Sequence, residues 1–421
     1  MNRIDIQKQS TFFIFLAILL LFIPFGKSNI FPIAPINLVY LAIGFLFFFQ
    51  TIYSKRNVDY YVFMIIMTII IYQVLVYYLD LIKYGSAENF YFIYKTIILL
   101  LGFSILKLEK NLFRLFKLFT LIIFFAAFFG LLIYFIGEPF SSIRMAILGS
   151  ENPYAIYVGK GDRISGFDSK IFTFAYPLAA LPILLLTLYK MENSRPLYLI
   201  LLFITSIAII LNGERATAFF SILGLIYLSY QWFKMKRIFF TIIGLLLCFG
   251  LIQITNLSID QNNLTRLVTQ KEEGEIATRL FRQFIGLKSI YDSPFLGSHR
   301  ETYENLFYNE MNEKPASTHN AIINVGVRAG VIGWLMFGIF IYYIFQLTKI
   351  MKSKMSYFSY QITLFHGIAV SLIVTQLVGL VHNAGIFYSY EKTSIILLGF
   401  IIALSNMTDR YSDMNIAQKN F

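Results

Sequence analysis

One cysteine, Cys248, stands in a chain of 421 residues, which excludes an internal disulfide framework. The chain has no Asp-x-Asp, no His-x-x-x-His and no cysteine cluster, so the common sequence patterns that hold a divalent metal are missing. Charge is scarce too, at 14% of residues, where a soluble domain carries about 25%. No internal repeat and no low-complexity tail is visible. What fills the space is apolar: 57% of residues are hydrophobic, with 45 Phe and 28 Tyr. Uncharged runs near 20 residues recur down the whole chain, which is the pattern of a polypeptide solvated by a bilayer.

The formal net charge of +12 does not point to nucleic acid, because the basic residues form short clusters between apolar runs rather than one basic module. They act as topology signals. We read about twelve spans, near Thr11–Phe25, Ile36–Tyr53, Tyr60–Leu81, Phe90–Leu106, Leu118–Gly137, Ile171–Tyr189, Leu197–Leu211, Ala216–Trp232, Ile238–Thr255, Asn320–Leu347, Tyr360–Val381 and Thr393–Ser405. The first has no small-x-small cleavage site after it and is read as an uncleaved span. The fold class expected is an all-α polytopic membrane protein, with residues 1–421 as a single integral membrane domain.

Alternate connections are basic: Lys55 and Arg56; Lys107, Lys110, Arg114 and Lys117; Lys190 and Arg195; Lys234, Lys236 and Arg237; Lys349, Lys352 and Lys354. Short loops rich in Lys and Arg stay cytoplasmic. Arg3 and Lys8 at one end, and Arg410 and Lys419 at the other, fall on the same side, so both termini are expected in the cytoplasm. The opposite side carries two long connections, 138–170 and 256–318, the larger between the ninth and tenth spans. Long loops inside a compact protein are usually functional. In the larger one, Leu280, Phe284, Leu287 and Tyr291 form a stripe at i, i+4, i+7 and i+11, which predicts an amphipathic helix over Ile276–Tyr291 ended by Asp292-Ser293-Pro294. Arg279 and Arg282 are neighbours on that helix. Chemistry on this side has no nucleotide triphosphate to draw on and must use a donor already activated on a lipid.

His319 is the first candidate for that chemistry. Ser317 or Thr318 is predicted to cap a helix whose first turn holds His319 and Asn320. The helix dipole then keeps the imidazole neutral and able to accept a proton, and the free N–H groups suit an anion. Gly326, Gly330 and Gly333 follow at seven, eleven and fourteen residues, all within about 60° of His319 on a regular helix. Arg328 points the other way. The plainer reading makes His319 an interfacial histidine and the glycines ordinary packing residues.

Arg215 opens the eighth span in Asn212-Gly213-Glu214-Arg215 and defies the positive-inside bias. It either snorkels, pairs with Glu214, or grips phosphate with a permanently charged fork. Arg163, in Gly161-Asp162-Arg163-Ile164-Ser165-Gly166, and Arg279 stand in the two long loops. Singly each reads as a solvated loop charge; together with His319 they form a set on one side of the membrane suited to a dianionic leaving group. His299 reads as a solvated loop residue and His366 as a packing residue. His382-Asn383 lies at an extracytoplasmic helix end.

These residues resemble the O-antigen ligase/polymerase superfamily. Its ligase signature is His, then Asn, Ser or Gln, nine residues, Gly, two residues, and Gly, Thr or Tyr; here it reads His319-Asn320, nine residues, Gly330, two residues, Gly333. The resemblance extends to Arg215-Ala216, to Arg279 through Ser293-Pro294-Phe295-Leu296-Gly297, and to Arg163-Ile164-Ser165-Gly166. It implies a membrane glycosyltransferase of the bacterial inner membrane, facing the periplasm, in lipopolysaccharide or polysaccharide biosynthesis. His319 would activate the acceptor hydroxyl, with Asn320 in support. Arg215, Arg279 and Arg163 would bind an undecaprenyl-pyrophosphate-linked glycan, with Arg282 in support. No metal, cofactor or nucleic acid is implied; the partners are that donor, membrane lipid, and an acceptor that is lipid A–core or a lipid-linked repeat unit. The family's pattern often has Ser or Thr where this chain has Asn-Gly-Glu before Arg215, so Glu214 either weakens or orients that arginine.

The full signature leans to an O-antigen ligase over an O-antigen or capsule polymerase. The protein-glycosylating branch usually carries extra loops or domains that this chain lacks. A lipid-linked oligosaccharide flippase would also show about twelve spans, but would spread charge along a central cavity and needs no sixty-residue outer loop.

Overall fold

In a computed structural model, the described residues are 3–23, 35–54, 60–84, 90–106, 109–148, 158–168, 171–233, 273–298, 303, 305–306, 308–309, 318, 320–354, 359–382 and 391–419. Among them every long element is a helix and no strand occurs. In chain order these are α1 (Arg3–Phe22), α2 (Pro35–Ser54), α3 (Tyr60–Tyr84), α4 (Phe90–Ile105), α5 (Glu109–Ile136), α6 (Phe140–Leu148) and α7 (Ile171–Met191). They continue with α8 (Leu197–Asn212), α9 (Arg215–Phe233), α10 (Glu273–Asp292), α11 (Ala321–Lys354), α12 (Ser359–His382) and α13 (Lys392–Lys419). Each expected span falls on one of these helices except Ile238–Thr255, which lies outside the described residues. Among the described residues, six helices are long and apolar enough to cross a membrane: Tyr60–Leu79, Asn111–Ile136, Thr173–Met191, Arg215–Phe233, Ala321–Lys352 and Tyr360–Val381. Shorter apolar helices lie at Lys8–Phe22, Asn37–Phe48, Leu197–Asn212 and Lys392–Met407.

The chain divides into two compact units. The first takes residues 1–43, 106–269 and 358–378. Its centre is α7, buried without a break from Phe174 to Leu188, which fits a helix apolar all round. Helix α9 meets α7 through small residues. Thr217, Ser221 and Gly224 share a buried face, the Ser221 hydroxyl lies 3.0 Å from the Ala179 carbonyl, and a Cβ on Gly224 would strike Ile183. Where no hydrophobic effect drives helices together, this close backbone approach is what holds them. At the basic end of the unit, Glu192 pairs with Lys117 at 2.6 Å and Arg195 at 3.2 Å.

The second unit takes residues 44–105, 270–357 and 379–421. Helix α13 packs on α4, with Gly399 against Phe103, the Phe103 and Phe400 rings 5.1 Å apart, and Asn406 donating to the Ser104 carbonyl at 2.8 Å. Helix α11 packs on α3, with Tyr343 edge-on to Tyr60 and Tyr61. The amphipathic segment forms α10, ends at Asp292 as Ser293-Pro294 requires, and packs on the start of α11.

Candidate functional site

Of the sequence-predicted site residues that are described, Arg163 and Arg215 lie in the first unit, and Arg279, Arg282 and Asn320 in the second. In the first unit, residues 158–168 are tied down by their apolar side chains. Ile164 and Phe167 are buried, Ile164 fills the space a side chain would need at Gly130 of α5, and Phe167 stacks on Phe129 at 4.5 Å. Gly166 takes a φ of 56° with Phe174 and the Ala126 carbonyl close behind it, a place open only to glycine.

That anchoring presents Arg163 to the turn between α8 and α9. Gly213 ends α8 in the left-handed region, at φ 71°. Arg163 Nε donates to the Asn212 carbonyl at 2.7 Å and its Nη2 to the Glu214 carboxylate. Asn212 answers by donating Nδ2 to the Ile164 carbonyl at 2.6 Å. A Cβ at Gly213 would sit 3.3 Å from Arg163 Nε, so the glycine serves both the turn and the guanidinium. Arg215 is the next residue, half-buried, and opens α9. The glutamate before it is thus engaged by Arg163.

Sequence reasoning missed Arg144. It lies on α6, fully buried, with Nε donating to the Gly166 carbonyl at 2.9 Å and Nη2 to the Asp168 carbonyl at 2.5 Å. Burial lowers its pKa, opposed by the charge of Asp168. The available signal was an arginine in a connection expected on the side of the membrane where arginines are few.

In the second unit, the start of α11 differs from expectation. The helix begins at Ala321, and Asn320 is its N-cap: Oδ1 accepts from Ile322 N at 3.0 Å and Ile323 N at 3.2 Å. Thr318, buried, instead lies 2.7 Å from Asn324 Oδ1 and 3.0 Å from the Asn320 carbonyl. A hydroxyl held sideways by Asn324 leaves the capping to the residue nearer the first turn. His319 lies outside the described residues, as do His299 and the helix dipole argument made for His319.

Gly330 differs more. It takes φ 58°, ψ −149°, which breaks α11 into a short limb, 321–329, and a long limb, 331–354. Trp334 Nε1 donates to the Ile322 carbonyl at 2.8 Å, although twelve residues of straight helix would separate them by about 18 Å. The chain therefore folds back sharply at Gly330, and the three glycines do not form one straight face. Gly326 does admit neighbours, but they are Ile290 of α10 and Trp334 of the long limb.

The bend is held by the segment after α10. Val331 N donates to the Pro294 carbonyl at 2.7 Å, and Ser298 N to the Val327 carbonyl at 2.9 Å. A Cβ on Gly330 would lie 2.6 Å from the Phe295 carbonyl carbon. Gly286 of α10 abuts Ile323 and Thr318, and Ile285, Ile290, Tyr303, Ile323 and Val327 form a small core. The Ser289 and Ser298 hydroxyls share a hydrogen bond. Arg282 is half-buried on α10; for Arg279 the helix position is described and the side chain is not. Among the described residues, no group of three or more His, Cys, Asp or Glu is placed to hold a metal ion.

Beyond these residues, Glu391 is buried and caps α13, its two oxygens accepting from Thr393 N at 2.9 Å and Ser394 N at 2.6 Å. Burial pushes its carboxyl above the ordinary carboxylate range, against the pull of those N–H groups.

No curated protein matches the chain. A family model described as O-antigen ligase matches residues 200–338. That segment takes in Arg215 with its turn, all of α10, Asn320, and the bend at Gly330. The match likens this part of the chain to the O-antigen ligase family.

Proposed function

We propose that the protein is a membrane glycosyltransferase that moves a glycan from undecaprenyl pyrophosphate to an acceptor sugar hydroxyl at the extracytoplasmic face. The observation that carries this reading is the family match over 200–338, the stretch that contains Arg215, the arginines of α10 and the His319-Asn320…Gly330…Gly333 motif. His319 takes the proton of the acceptor hydroxyl as its oxygen attacks the anomeric carbon. The bond from that carbon to the pyrophosphate oxygen breaks, and undecaprenyl pyrophosphate leaves with the electron pair. Arg215 and Arg279 meet the charge that grows on the departing phosphate, the task for which a fixed guanidinium is suited. Arg282 and Asn320 support them. Arg163 supports Arg215 by fixing the turn from which α9 starts. With arginines at the leaving group, the reading needs no metal ion.

The signature leans the acceptor toward lipid A–core, which makes the enzyme a ligase of the bacterial inner membrane; transfer to a lipid-linked repeat unit would make it a polymerase. The test is the glycan profile of a deletion strain complemented with wild type or His319→Ala, resolved on a lipopolysaccharide gel. Long chains left on undecaprenyl pyrophosphate, with bare lipid A–core, mean ligase. A single repeat on the core means polymerase. A full wild-type ladder from His319→Ala contradicts the assignment of the base and reopens a transport role.

A further inference from the structure

Helix α10 does not bury the stripe that marks it in the sequence. Leu280, Phe284, Leu287 and Tyr291 face outward, Phe284 being 61% and Tyr291 84% exposed. The helix packs through the opposite face, by Ile285, Gly286, Ser289 and Ile290. Leaving these four large apolar groups in water costs roughly 1.5–3 kcal/mol for each side chain that burial would otherwise remove from it, so this face is built to be covered.

The stripe does not stop at the helix end. Phe295, 73% exposed, follows Pro294, whose carbonyl is bound by Val331 N. That bond joins the stripe to exposed Val331, Leu335 and Ile339 on one face of the long limb of α11. The long limb lies within a helix apolar and long enough to cross a membrane, so its outward apolar face meets acyl chains. The chain segments that carry the two apolar faces meet at this Val331–Pro294 bond, beside the bend at Gly330. Lys288, exposed beside Tyr291 on α10, adds a cation where lipid phosphates lie.

We propose that α10 lies along the extracytoplasmic surface of the bilayer, with Leu280, Phe284, Leu287, Tyr291 and Phe295 in the boundary between headgroups and acyl chains. The occupant of the stripe is lipid, because the stripe is continuous with a lipid-facing helix surface. A consequence, resting on the transferase reading, is that Arg279 and Arg282 are held at the depth of a lipid-linked pyrophosphate.

The test is spin-label accessibility on the full chain, with Cys248→Ser as background, in nanodiscs of phosphatidylethanolamine and phosphatidylglycerol. Labels go at Leu287→Cys and Tyr291→Cys, with Leu335→Cys as the lipid reference and Arg195→Cys as the aqueous one. All are exposed positions, so folding is retained. The expected result is an oxygen-to-nickel-chelate accessibility ratio at 287 and 291 several-fold above that at 195 and below that at 335. Ratios equal to that at 195 would place the helix in water and overturn the proposal. Low accessibility to both reagents would mean a protein partner or a second copy covers the face, and would overturn it equally. The measurement does not use transfer activity. A helix at lipid depth whose Phe284→Ser/Leu287→Ser variant still transfers glycan at the wild-type rate keeps the placement and rejects only its catalytic consequence.

Discussion

Arg163 and Glu214, fifty-one residues apart, form an ion pair in which each side chain is 11% exposed. The same guanidinium binds the Asn212 carbonyl, so one fork closes the turn that leads into Arg215. Removing the arginine strands a buried carboxylate, at a cost of about 3–5 kcal/mol. Arg163→Ala is expected to lower the thermal midpoint in detergent strongly, and Arg163→Lys to rescue it poorly, since an ammonium lacks the planar fork. Glu214→Gln should lose less, because an amide oxygen still accepts. If Arg163→Ala instead kept its midpoint and raised only KM for the donor, direct contact with pyrophosphate would be its role.

Gly330 carries the second prediction. Its φ and ψ lie in a region essentially reserved for glycine, and the Pro294–Phe295 peptide occupies the space of a Cβ. Gly330→Ala should cost roughly 3 kcal/mol or more and sharply reduce the folded yield. Gly338, eight residues on in the long limb, has nothing within 4 Å of a built Cβ. Gly338→Ala should be neutral or gain up to about 1 kcal/mol from helix propensity. Fluorescence-detected size exclusion of the two variants checks both.

For Asn320 the expected loss is that of a helix cap. Asn320→Ala should cost about 0.5–2 kcal/mol, while Asn320→Asp and Asn320→Ser keep most of it. A thermal melt of the four proteins in one nanodisc preparation gives the order. Equal midpoints for Ala and wild type would mean the cap does not limit the stability of this region.

Glu391 gives a pH dependence. Its folded pKa is raised by burial, so its contribution to stability is full below the ordinary carboxylate pKa and is lost as pH rises through the folded value. Between pH 4 and 8 the midpoint of wild type should therefore fall relative to that of Glu391→Gln. A difference independent of pH would mean that Glu391 is charged in both states.

Much of the architecture is readable from the chain because long apolar runs and short basic clusters are local signals. The end of α10 at Asp292 follows from Ser293-Pro294 for the same reason. The details around the site are set by partners distant in sequence. Thr318 and Asn320 are both good caps, and the choice falls to Asn320 because Asn324 holds the Thr318 hydroxyl. Nothing in 321–354 marks a reversal; it exists because the Pro294–Phe295 peptide lodges against a residue without a side chain. The outward stripe on α10 looks in the sequence like a core-facing one, since periodicity records that a face is apolar and not what covers it. Arg163 reads as a loop charge until Glu214 is brought beside it.

The most direct measurement is donor turnover by the purified protein in proteoliposomes, supplied with an undecaprenyl-pyrophosphate glycan and an acceptor and no nucleotide. The account predicts acceptor-dependent release of undecaprenyl pyrophosphate. It should fall about 10²- to 10⁴-fold in His319→Ala, the range expected for loss of a general base, and strongly in Arg215→Ala, with both variants still folded. Release that is unchanged in His319→Ala and Arg215→Ala, or movement of the intact donor across the bilayer without release, would contradict it.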